Sequence, residues 1–76
     1  MTIDELEEYL NEIGIKKDLY SIMKGGLPNE RLCIVKEDAW QVYYSERGRK
    51  SGIKNFNSES EACEYFINKI KRYVKK

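Results

Sequence analysis

Apolar residues recur at helical spacing near the start of the chain. Ile3, Leu6, Leu10 and Ile13 lie on one helical face with Tyr9 beside them, and Asp4, Glu5, Glu7, Glu8 and Glu12 fill the other. Thr2 followed by Glu5 has the form of a capping box, in which each residue's side chain meets the other's backbone N–H. Acids in the first turns suit the positive end of the helix dipole, and Gly14 is a natural stop. The pattern predicts a helix over 3–13. Leu19, Ile22 and Met23 also share a helical face, with Tyr20 at its flank, and predict a second, shorter helix over 16–23. Gly25-Gly26 would end it, and Leu27-Pro28-Asn29-Glu30 reads as a loop because proline cannot continue a helix.

The period then changes from 3.6 to 2. Residues 31–36 (Arg-Leu-Cys-Ile-Val-Lys) are rich in apolar and β-branched types and predict a strand. After a turn at Asp38-Ala39, residues 40–46 alternate, with Trp40, Val42 and Tyr44 on one face and Gln41, Tyr43 and Ser45 on the other. Residues 47–51 (Arg-Gly-Arg-Lys-Ser) read as a charged turn. Residues 52–57 predict a third strand, in which Ile53 and Phe56 differ in parity and a bulge would reconcile them. Ser58 with Glu61 repeats the capping-box form. The helix that follows places Cys63, Phe66, Ile67, Ile70 and Val74 on one face, with Tyr73 at its border. Lys69, Lys71, Arg72, Lys75 and Lys76 sit toward its negative end.

The order α, short α, β, β, β, α predicts a two-layer α+β domain. Its three strands would form an antiparallel meander packed against the N-terminal and C-terminal helices, leaving the other sheet face open. The whole chain, 1–76, is long enough for one domain and too short for two. Apolar residues make up 41%, enough for a core, and charged residues make up 36%, which predicts a heavily charged surface. The net charge of +1 lacks the basic excess of a dedicated nucleic-acid binder. That charge is unevenly placed: residues 1–30 carry a net of −4, 31–58 a net of +3 and 59–76 a net of +2.

Catalytic equipment is sparse. The chain contains no histidine, the usual general base and a common metal ligand. Cys33 and Cys63 stand in apolar runs thirty residues apart, without the pairing of a zinc site, and read as buried, reduced thiols. Gly25-Gly26 lacks the Lys-Ser/Thr of a phosphate-binding loop. The expectation is a non-catalytic protein without cofactor or metal. The opening Met1-Thr2-Ile3-Asp4-Glu5 has no basic or apolar leader, and no apolar run approaches the ~20 residues of a membrane span, so a cytoplasmic location is expected.

Three features carry candidate contact residues. Tyr43 would stand alone on the open sheet face, opposite Trp40 and Tyr44, and tyrosine is enriched where proteins meet partners. Glu46, Arg47, Gly48, Arg49 and Lys50 cluster at a hairpin tip able to grip phosphates or an acidic protein. Glu5, Glu8 and Glu12, with Asp4 and Glu7, form a negative stripe able to mimic a phosphate backbone. The plainer readings are two core rings with the third partly covered at the surface, a solvated hairpin and an ordinary exposed helix face.

The α-β-β-β-α order matches the double-stranded-RNA-binding domain. That domain places lysines at the start of its last helix, where this chain has Ser58-Glu59-Ser60-Glu61. A second likeness rests on residues. The run Leu19-Tyr20, Gly25-Gly26, Leu27-Pro28-Asn29-Glu30, then Trp40-Gln41-Val42-Tyr43-Tyr44-Ser45-Glu46-Arg47-Gly48, then Phe56, Ser58-Glu59 and Glu61-Ala62-Cys63 resembles small immunity proteins of bacterial polymorphic-toxin systems. The resemblance spans about residues 19–66. It implies a cytosolic protein that binds and neutralises one toxin domain, often a nuclease, and the mechanism expected of such a protein here is occlusion, an acidic or aromatic surface covering the toxin's active site. It also implies contact or structural roles for Tyr43, Tyr44, Glu46 and Arg47. A small accessory or regulatory subunit binding through the same surface, and a nucleic-acid-binding module, are the alternatives.

Overall fold

In a computed structural model, which describes residues 1–23, 30–47 and 49–74, the chain folds as an α+β domain with two helices on a four-stranded mixed sheet. Helix α1 spans Ile3–Glu12. Its capping box forms as expected: Glu5 N–H donates to Thr2 Oγ1 at 3.2 Å, and Thr2 N–H donates to Glu5 Oε1 at 2.9 Å. The helix closes at Gly14, whose φ of +78° lies in the left-handed region that glycine enters without strain. Ile15 N–H then bonds the Leu10 carbonyl and Gly14 N–H bonds that of Asn11, the two reversed bonds of a Schellman motif. Ile15 and Leu10 are both buried in the core, the apolar contact that accompanies this cap.

The second helix expected over 16–23 does not form. A single 3-10 turn, Lys17–Leu19, leads into strand β1, Tyr20–Ile22. Leu19 and Met23, which the helical reading places inward, are 37% and 48% exposed, while Tyr20 and Ile22 pack toward the helices. With Ser21 between them, the true period is 2, and so short a stretch fits either period. Strand β1 pairs in parallel with β2 (Arg31–Lys36), in the register Tyr20↔Leu32 to Ile22↔Ile34. The sheet is therefore mixed, in the order β1-β2-β3-β4, rather than a three-stranded antiparallel meander. The expected stop and loop at Gly25, Gly26, Leu27, Pro28 and Asn29 lies outside the described residues.

Strands β3 (Trp40–Glu46) and β4 (Arg49–Phe56) complete the sheet, each antiparallel to its predecessor. Glu46 pairs with Arg49, so Arg49, Lys50 and Ser51 belong to the strand rather than to the turn that their charge suggests. Arg47 takes a left-handed φ of +53° at the tip, and Gly48 beside it lies outside the described residues. A bulge is present, but it does not bring Ile53 and Phe56 to one face: Ile53 lies within it and is 45% exposed, while Phe56 is partly buried. Val42 pairs with Lys54 and Tyr44 with Ser51, leaving Gly52 and Ile53 opposite Tyr43 alone. Gly52 has φ +62°, the left-handed conformation such a bulge often needs.

Helix α2, Glu59–Val74, follows Ser58, whose Oγ accepts Glu61 N–H at 3.1 Å. Leu6, Leu10, Tyr20, Leu32, Ile34, Val42, Cys63, Phe66 and Ile70 form the core between helices and sheet, bordered by Trp40, Tyr44, Phe56 and Tyr65. The expected placement of Tyr73, Val74, Lys75 and Lys76 at the end of α2 concerns side chains outside the described residues. The sheet face away from the helices is not open at its centre. Cys33, Val35 and Tyr43 form a second buried cluster there, with Ser21 and Ser45 also buried. The alternation assigns Tyr43 to this face correctly, but the exposure expected of it is absent: its ring is 1% exposed.

Candidate functional site

Both helices run in the same direction. At their starts, Ile3 N–H donates to Glu59 Oε2 at 2.7 Å and the N-terminal ammonium reaches Ser60 Oγ at 3.3 Å. At their far ends, Lys71 of α2 lies 5.5 Å from the centre of the Tyr9 ring of α1. Parallel helices align their dipoles, so the charges at both ends must compensate. Asp4 and Glu5 occupy the first turn of α1, and Glu59 and Glu61 that of α2. The β2–β3 turn, with Glu37 and Asp38, closes the same end, because Lys36 pairs with Trp40 and Trp40 with Phe56, shortly before α2 begins.

The opposite end is basic. Strand β2 starts there with Arg31, which pairs with Ser45 next to the β3–β4 tip. Lys17 of the 3-10 turn and Arg31 line a cavity with Tyr20, and Glu7 of α1 supplies one opposite charge there. Arg47, Arg49 and Lys50 line a surface hollow at the tip with Glu46 and Ser51. Lys69 of α2 reaches this end as well, lining a cavity with Tyr44, Ser51 and Gly52. Lys71 and Arg72 lie in its last turn. The fold thus sorts a nearly neutral chain into an acidic pole and a predominantly basic one, where Glu12, Asp18, Glu30 and Glu46 stand among the cations.

The eight expected contact residues do not converge. Glu46, Arg47 and Arg49 are exposed together at the basic tip. Glu5, Glu8 and Glu12 are exposed on α1, and the Glu5 carboxylate is engaged by its own capping box. Glu12 stands near the negative end of a helix with no basic residue in its last turn, so helix stability does not account for it. Tyr44 is half-buried on the helix side, and its hydroxyl donates to Glu30 Oε1 at 3.5 Å. Tyr43 is buried on the other side, with Lys50 Nζ 4.8 Å from its ring centre. As it stands, Tyr43 has almost no surface to offer a partner. Sequence reasoning passes over Arg31 and Lys69. Basic residues at a strand start and on a helix carry no local signal that the fold will gather them beside a hairpin tip.

Both thiols are buried and unpaired. Burial pushes Cys33 up from its ordinary value, while a hydrogen bond with Tyr43 and the charges of Arg31 and Lys50 pull the other way. Burial, reinforced by Glu59 and Glu5 and opposed by the N-terminal ammonium, pushes Cys63 up from 9.0 to about 11. Tyr20 is raised by burial and by Glu7. These shifts leave both thiols protonated and weakly nucleophilic near neutrality. They also carry a stability consequence. Between about pH 9 and pH 11 the folded state holds a proton on Cys63 that the unfolded state has released. Its contribution is complete below that window and lost as pH rises through it. The urea midpoint is expected to fall between pH 9 and pH 11, and to fall less in Cys63→Ala.

Among the described residues, no group of three or more His, Cys, Asp or Glu is placed to hold a metal ion, and no helix is long and apolar enough to cross a membrane. The chain matches no known family model, no curated protein and no solved structure.

Proposed function

We propose that the chain is a non-catalytic protein-binding domain of the cytoplasm, and specifically an immunity protein that neutralises a cognate toxin by covering its active site. The observation that carries the binding reading is the uneven separation of charge between the two ends of the fold. Complementary charge steers encounter and fixes the orientation of a partner. The basic tip mixes Glu46 with Arg47 and Arg49, a pattern suited to a protein surface rather than to a uniform phosphate backbone. The residue resemblance over 19–66 supports the toxin as partner. The double-stranded-RNA reading loses ground at the start of α2, where Glu59 is committed to the Ile3 amide and Glu61 is exposed. An anionic pair there repels phosphate.

The test is a tagged pull-down from the native cell, with the lysate treated with nuclease and washed at high salt. The expected result is one stoichiometric protein partner, encoded beside this chain. Loss of every partner after nuclease, with nucleic acid bound beforehand, would replace this reading with the nucleic-acid one.

A further inference from the structure

Strand β4 is the longest strand and the outer edge of the sheet. All its residues from Arg49 to Asn55 are exposed, and only Phe56 turns partly inward. Its outer backbone edge pairs with no strand among the described residues. An open edge presents a row of unpaired N–H and C=O groups, a template for another extended chain. The opposite edge is unlike it: β1 has three residues, two of them buried.

The side chains of β4 select what can add there. Arg49, Lys50 and Lys54 are its only charged residues, and all are cations. Lys69 extends the positive flank from α2, lining a cavity with Ser51, Gly52 and Tyr65. Ile53, 45% exposed at the bulge, supplies one apolar contact in the middle of the run. A Cβ built on Gly52 would meet nothing within 4 Å, so the approach there is open. Lysines and a bulge on an edge discourage pairing with a second copy of the same strand, because like charges then face one another. They do not discourage a strand of opposite charge.

We infer that the β4 edge docks an extended acidic segment of a partner protein by strand addition. Backbone bonds along the edge supply affinity, and the Arg49–Lys54 cations with Ile53 supply selection. This deepens the protein-binding reading and rests on it.

The test uses the full chain and an eight-residue peptide of alternating Glu and Val, matched in length to β4. A control Glu–Pro peptide repeating Glu-Glu-Pro-Pro carries equal charge but places prolines on both of its edges, so neither edge keeps an unbroken row of donors. Amide exchange is followed by two-dimensional NMR. The expected result is slowed exchange of outward β4 amides with Glu–Val alone, and about tenfold weaker binding after R49E with K54E, one such step in affinity being ~1.4 kcal/mol. Both substituted side chains are exposed, so circular dichroism should be unchanged. Equal binding of the Glu–Pro peptide, protection elsewhere than β4, or no protection at all would overturn the inference. A protein recovered in the pull-down alongside any of those results would leave the binding reading intact and move its interface off the edge. A pull-down yielding only nucleic acid would remove the reading itself.

Discussion

Tyr43→Ala is expected to destabilise the fold by about 3–5 kcal/mol, the range for emptying a large buried aromatic site. The ring is 1% exposed and packs with Cys33 and Val35 on the sheet face away from the helices. Lys50 covers it with its ammonium 4.8 Å from the ring centre, and that cation–π attraction disappears with the ring. A domain of this length has an unfolding free energy of roughly 4–11 kcal/mol in total, so the variant would be marginal or unfolded. Tyr43→Phe keeps the ring and should cost about 1 kcal/mol, one hydrogen bond. Glu46→Ala, three residues away and exposed, should stay within about 0.5 kcal/mol of the parent. Urea unfolding followed by circular dichroism separates the three. A folded Tyr43→Ala protein with an unchanged midpoint would show that the ring is dispensable to the core and would make it a candidate for partner binding again. The order of experiments matters for function: loss of partner binding in a Tyr43 variant means nothing until folding has been measured.

What could be read from the sequence follows from how local each signal is. Helices α1 and α2 were legible because a capping box and a 3.6 period each lie within a few residues, and both Thr2–Glu5 bonds are present. Strands β2 and β3 were legible through their apolar content and alternation. The parity of Ile53 and Phe56 pointed to a bulge in β4, but not to its effect, because Ile53 lies within the bulge and stays 45% exposed instead of joining Phe56 on the inner face. Strand β1 was not, because three residues cannot declare a period and the partner that makes Tyr20–Ile22 a strand lies about twelve positions on, in β2. Tyr43 shows a different limit. Alternation assigns a residue to a face but says nothing of whether that face is covered. For the candidate site, the acidic and basic clusters were visible as composition, while their sorting into two poles was not. That sorting depends on α1 and α2 running in parallel, and the contact that shows it, Ile3 N–H to Glu59, joins residues 56 apart. Glu59 reads locally as an ordinary acid in the first turn of its own helix; nothing nearby in the sequence announces that it also caps another.

The second large effect is expected at Phe66→Ala. Phe66 is fully buried on α2 and meets the Tyr20 ring edge-on, with centroids 6.3 Å apart. It belongs to the cluster that gathers α1, α2 and the inner residues of β1, β2 and β3, so the cavity would open where both layers meet. Truncation at such a site costs about 3–5 kcal/mol, and an edge-to-face pair adds ~0.5–1.5 kcal/mol beyond its buried area. Tyr20 is the more vulnerable partner. It anchors a three-residue parallel strand, and its hydroxyl is buried without a hydrogen-bond partner among the described residues. Loss of Phe66 should therefore loosen β1 first. Phe66→Leu, which refills most of the volume, should recover a good part of the loss, whereas Phe66→Ala should not. Amide exchange distinguishes a local from a global effect. In the leucine variant, β1 amides should exchange faster than those of β2 and β3; uniform acceleration in all three strands would show that β1 is as firmly held as the central strands and that Phe66 supports the sheet as a whole.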